Sequence, residues 1–228
     1  MVSFGSILRA AVQTFSAKGY AATGIRDIAS AAGVTSGTLY LYAPSKMAIL
    51  VSVMNLTLDE LLRLAEVATA GERTPAVRLE RLIRAHVAIQ ATNPRTALVV
   101  DGELRFVPAE HRSAIVSKRD AYERYWTETL AAGVETGDFA VVEPSITRLS
   151  LLEMGNGVAH WYQPDGPLDL GRILDVFVRL GFNLVGHPGP VRGADSDLSP
   201  RRLDCEPDDR VRPGETTEPA QMATNAGT

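Results

Sequence analysis

The chain has one cysteine, Cys205, in 228 residues, which excludes an intrachain disulfide and any cysteine-based metal cluster. Its four histidines, His86, His111, His160 and His187, are scattered, and no His-x-x-x-His pair sets two imidazoles on one helical turn. Nucleophile-elbow and phosphate-loop patterns are missing as well. A non-enzyme with neither metal nor cofactor is the expectation. No apolar run approaches membrane-spanning length, and residues 1–8 carry no Lys or Arg, so neither a transmembrane segment nor a charged-then-apolar leader is expected. A cytoplasmic protein without membrane contact follows, in a compartment that keeps the single thiol reduced. Period-two alternation is also lacking, so the predicted fold is all-α. With 45% hydrophobic residues, a helical core of conventional size is within reach.

Residues 25–46, IRDIASAAGVTSGTLYLYAPSK, read as two short helices broken at Gly33 and restarted at Thr35, the layout of a helix-turn-helix reader of duplex DNA. Ile25, Ile28, Ala29 and Ala32 share one face, Val34 is the expected buried pivot, and Thr35 or Ser36 caps the second helix. Ser36, Thr38, Tyr40, Tyr42 and Lys46 are expected to face outward, where hydroxyls and an ammonium suit phosphate oxygens. Gly37 lets the backbone approach a base edge, and Thr23 and Thr35 complete the candidate DNA-binding set. The net charge of −4 is divided unevenly. Residues 1–46 carry Arg9, Lys18, Arg26 and Lys46 against Asp27, a net of +3, so DNA affinity should be local and salt-sensitive.

Phe15, Gly19, Tyr20, Ile28, Ala29, Ala32, Gly33, Val34, Leu39, Tyr40, Pro44, Ser45 and Lys46 stand at the spacing of the TetR-family DNA-binding domain, which residues 7–50 resemble. Ala43 stands where that family usually has Phe, which implies a less rigid head. The resemblance implies a helix-turn-helix head over residues 1–46 and a ligand-binding and dimerisation bundle over 47–187. It also implies a homodimer whose recognition helices enter successive major grooves roughly 34 Å apart.

Within the bundle, helical patterns are predicted at about 76–92, 95–106, 109–134, 145–162 and 169–186. The stripe Leu79, Leu82, Ile83, His86, Val87, Gln90 brings two polar groups to positions that packing fills with carbon. A second stripe, Ile115, Arg119, Tyr122, Trp126, Leu130, places a guanidinium among aromatics. Its anion is either protein, with Asp101 or Glu103 as candidates, or a ligand. The segment 151–168 carries apolar residues on two faces, with Asn156 and His160 on the second, and it sits between layers. Taken together, His86, Gln90, Arg119, Tyr122, Trp126, Asn156, His160 and Trp161 form the candidate lining of a small-molecule pocket. The patterns RDAYERYW, GVETGDF and GNGVAHWYQPDGP are similar to the acyl-CoA-responsive branch of TetR-like repressors. That similarity implies an acyl-CoA thioester effector, with another apolar ligand as the alternative and a purely structural role for the aromatics also open.

Both the 145–162 and 169–186 helices look like the homodimer interface of the resembled family, with Gly155 and Gly181 permitting close approach. Residues 188–228 are rich in Pro, Gly, Asp and Glu, carry a net charge of −3, and are expected to be disordered. The resulting reading is a ligand-responsive DNA-binding regulator, most simply a repressor released from a double-stranded operator by its effector. A ligand- or partner-binding helical protein with a degenerate head is the alternative.

Overall fold

A computed structural model describes residues 2–71, 73–189 and 198–207, and every element among them is helical. The head comprises α1 (Phe4–Lys18), α2 (Ile25–Ala31) and α3 (Ser36–Tyr40). The bundle follows as α4 (Lys46–Thr69), α5 (Pro75–Thr92), α6 (Pro94–Glu103), a 3-10 turn (Leu104–Phe106), α7 (Ala109–Glu135), α8 (Pro144–Asn156), α9 (Val158–Trp161) and α10 (Leu170–Leu184). Starts follow local chemistry. The side chains of Thr35, Ser45, Thr74 and Asp169 accept the N–H of Thr38, Ala48, Val77 and Arg172. Proline opens α5, α6 and α8, where its missing N–H costs nothing. Gly19 ends α1 at φ 79°, a conformation L side chains resist.

α5 buries thirteen of its eighteen residues, including Glu80, Arg81, His86 and Gln90, which makes it the axis of the bundle. Around it pack α4, α7, α8 and α10, while α6 bridges α1 and α4. The predicted 145–162 helix is divided at Gly157 into α8 and α9. Among the described residues, no helix is long and apolar enough to cross a membrane.

The expectation of a disordered 188–228 segment is corrected for residues 198–207. Leu198, Cys205 and Glu206 are buried there and Leu203 is half-buried against the core. Counting apolar residues along a segment misses the surface it can borrow, and here α1, α4 and α6 supply the other half of the contact. Residues 190–197 and 208–228, also covered by that expectation, lie outside the described residues.

Candidate functional site

In the head, Gly33 turns the chain at φ 66°, and the Val34 N–H returns to the Ala29 carbonyl at 2.9 Å. Ile28, Ala29 and Leu39 are buried beneath, with Val34 half-buried. Thr35 Oγ1 accepts the Thr38 N–H at 3.1 Å and lies 3.0 Å from the Thr38 hydroxyl, so the start of α3 is fixed by two of the candidate contact residues. Gly37 and Tyr40 are exposed and Ser36 half-exposed, as a reading surface requires. Ala43, at the position of the family's Phe, is buried.

Two head residues are placed otherwise than expected, and a third, Tyr42, faces outward with its hydroxyl already engaged. Lys46 does not project freely: its ammonium donates to the Tyr20 carbonyl at 2.7 Å and the Thr23 carbonyl at 2.6 Å, and it lies 4.1 Å from the Tyr20 ring centroid. The turn between α1 and α2 leaves carbonyls without helical partners, and the cation opening α4 satisfies them. Thr23 is 2% exposed and its hydroxyl donates to the Gly19 carbonyl at 2.8 Å, which removes it from the surface. Tyr42 is exposed, yet its hydroxyl donates to the Val2 carbonyl at 3.0 Å. Lys18 is likewise engaged, 3.2 Å from Asp27. The Asp27 carboxylate is held below its ordinary pKa by the Gly24 N–H and then by Lys18. Of the four head cations, Arg9 and Arg26 are exposed and make no ion pair among the described residues. Arg26, at the start of α2, is the contact candidate that sequence reasoning counted as charge without assigning a role.

The bundle holds a cavity of about 430 Å³ lined by residues of α4 to α9, among which Leu149, Glu153 and His160 are exposed to solvent. Six of the eight residues proposed for the pocket line it: His86, Gln90, Arg119, Tyr122, Asn156 and His160. The floor is a neutral hydrogen-bonded network. His86 Nε2 stands 3.1 Å from the Leu152 carbonyl, an acceptor only, so this nitrogen carries the proton and Nδ1 accepts from the Tyr122 hydroxyl at 2.9 Å. Burial pushes the His86 pKa down to about 4 and raises that of the Tyr122 phenol, which keeps both neutral. Gln90 Nε2 donates to Asn156 Oδ1 at 2.9 Å, tying α5 to α8.

Arg119 donates to the Val100 carbonyl at 3.0 Å and lies 3.7 Å from Asp101, so of the two anticipated carboxylates it meets Asp101. Glu103 instead accepts the Tyr20 N–H. Desolvation raises the Asp101 pKa, opposed first by Arg119. Glu123 and Glu153 add two further carboxylates, and Arg148 lies 3.0 Å from Glu123.

Trp126 and Trp161 are not among the lining residues. Trp126 is fully buried behind it, edge-on to His86 and Tyr122 at 5.7 and 6.3 Å, and so belongs to the core. Trp161 is 46% exposed and stacks on Phe177 at 6.4 Å on the outer surface. The break at Gly157 ends the helical register that had carried it inward. The α4 residues Thr57, Leu58 and Leu61 line the cavity and were not anticipated, because an apolar helix face does not reveal which part of it meets a void.

Gly155 and Gly181 permit close approach within the subunit. A Cβ on Gly155 would fall 2.2 Å from the His86 ring, and one on Gly181 2.4 Å from Ile83. Apolar side chains nevertheless remain outside: Ile146 on α8, and Val176, Leu180 and Leu184 at four-residue spacing on α10.

Residues 7–53 match the family described as bacterial regulatory proteins, tetR family, and residues 72–185 match the tetracyclin repressor-like C-terminal domain. The HTH-type transcriptional repressor KstR2 of Rhodococcus jostii (strain RHA1) is 25% identical over 185 residues, covering 80% of this chain and 90% of that protein. The fatty acid metabolism regulator protein of Bacillus subtilis (strain 168) is 29% identical over 132 residues, covering 58% of this chain and 68% of that protein. Among solved structures, a bacterial regulatory protein in the tetR family from Rhodococcus RHA1 superposes with a TM-score of 0.75 at 26% identity, covering 84% of this chain and 100% of that one.

Proposed function

Because the chain belongs to the TetR family of bacterial regulatory proteins, we propose that it is a repressor released from operator DNA by a small molecule in the bundle cavity. The observation that carries this reading is the course of α4. Its first residue, Lys46, is anchored in the head, and Thr57, Leu58 and Leu61 line the cavity about three to four turns later. One rigid helix thus meets both sites, and an occupant that shifts it also shifts the recognition helix.

The effector we infer is the acyl part of a thioester or a similarly apolar molecule. A cavity of about 430 Å³ suits a group of that size, with the coenzyme of a thioester left outside. The neutral floor of His86, Tyr122 and Gln90 supports an uncharged buried end, and the Arg119 guanidinium is the cation that a more polar end can meet. Names of the relatives, a repressor and a fatty acid regulator, are in keeping with this class. The acting species is a cytoplasmic homodimer joined through α8 and α10, whose outward apolar residues need cover.

Ligand and DNA affinities must then be reciprocally coupled. Selection of bound fragments from source DNA gives the operator, and isothermal titration of acyl-CoA thioesters with and without that duplex gives the coupling. Weaker thioester binding in the presence of operator is the expected result. Equal affinities with and without it would overturn effector-driven release, and failure to select any duplex over random DNA would favour the degenerate-head reading.

A further inference from the structure

Residues 198–207 cross the junction of head and bundle. Glu206, 2% exposed, sits over the first turn of α6, where its carboxylate accepts the Thr96 N–H at 2.8 Å, the Arg95 N–H at 3.3 Å and the Thr96 hydroxyl at 2.5 Å. Asn93, which precedes α6, makes no side-chain cap of its own, so Glu206, 110 positions beyond Thr96, supplies it. Asn93 instead holds the same segment. Its Oδ1 accepts the Leu203 N–H at 2.7 Å, and its Nδ2 donates to the Arg201 carbonyl at 3.1 Å. On α4, Glu60 accepts the Arg201 N–H at 3.1 Å. On α1, a Cβ at Gly5 would fall 3.3 Å from that of Asp204.

The helix so capped is the one between the two sites. Ala97, Val100 and Asp101 on α6 line the cavity, and Glu103 in its last turn accepts the Tyr20 N–H of the head. We propose that residues 198–207 form a detachable strap that orders α6 and, through it, the head, so that this segment sets operator affinity from outside the helix-turn-helix and the bundle. Two heads must present themselves at a fixed separation, and a looser junction adds ordering cost to every binding event. The effect on operator affinity rests on the repressor reading. The ordering of α6 and the head does not.

Cys205 is the chain's single thiol and is wholly buried by the docked strap, so its reaction with a disulfide reagent reads undocking in the full-length protein. Glu206→Ala removes the cap, and Leu203→Ser weakens the same docking from a half-buried position outside the helical core, should the first variant fold poorly. Either is expected to speed Cys205 labelling about tenfold, the effect of losing one helix cap, and to raise amide exchange in peptides spanning 94–103 and 19–24. Glu206→Gln, which keeps one acceptor, should fall between. Operator affinity should drop in parallel. Labelling of the native chain as fast as in urea would overturn docking, and faster labelling with unchanged exchange in both peptides would overturn the ordering role. If no duplex is bound, the repressor reading falls together with the effect on operator affinity, while labelling and exchange still decide the strap.

Discussion

The backbone N–H of Tyr20 donates to Glu103 Oε1 at 3.1 Å, a contact between residues 83 positions apart that joins the turn after α1 to the last turn of α6. The Tyr20 ring lies between Phe15 and Phe106, at 5.3 and 5.4 Å, so the polar link is flanked by apolar packing on both sides. Head and bundle meet here through a charge-assisted bond shielded from water.

Glu103→Ala should therefore cost about 1–3 kcal/mol, the range for leaving a buried donor without its partner. Glu103→Gln retains an acceptor and should cost less. Urea unfolding of the two variants beside the parent checks this, and equal stabilities would contradict the linking role.

Lys46 is predicted to act through structure. Lys46→Met removes two bonds to backbone carbonyls and should lower the stability of the head by about 1–3 kcal/mol. The salt dependence of operator binding should barely change, because this ammonium is already engaged. Arg26→Ala should instead reduce the slope of log affinity against log salt by about one unit, as loss of a phosphate contact does. Anisotropy titrations across a salt series separate the two residues.

The His86 network predicts acid sensitivity. Its pKa stands near 4 in the fold against an ordinary 6.5, so between those values the unfolded chain binds the proton that the folded chain refuses. The associated stability is complete above pH 6.5 and lost as pH falls toward 4, amounting to about 3 kcal/mol. Unfolding measured from pH 7 to pH 4 should show this decline. His86→Gln should lack that part of the pH dependence.

On α10, Leu180→Glu should leave the protomer's fold intact, since the side chain is 43% exposed. Sedimentation should show loss of the dimer. Operator affinity should fall on the order of 10²-fold or more, because the second head then binds as an independent molecule. A dimer that persists with unchanged affinity would place the interface elsewhere.

Helical periodicity was enough to bring His86, Gln90, Arg119, Tyr122, Asn156 and His160 to one cavity, because a 3.6-residue repeat settles which residues of a helix face its neighbours. It could not show that Trp126 lies behind the cavity or that a break at Gly157 turns Trp161 outward, since both depend on where helices end and how deeply they pack.

The sequence by itself determined the all-α class, the head's turn at Gly33, a cap at Thr35 or Ser36, and the inward stripes of α5 and α7. Each follows from interactions among residues a few positions apart. Tertiary structure alone decided that Lys46 answers carbonyls of its own chain, that Gly155 makes room for His86, and that Glu206 caps α6. Those partners lie tens of residues away, and a buried donor or acceptor takes whichever group the packed chain brings within about 3 Å.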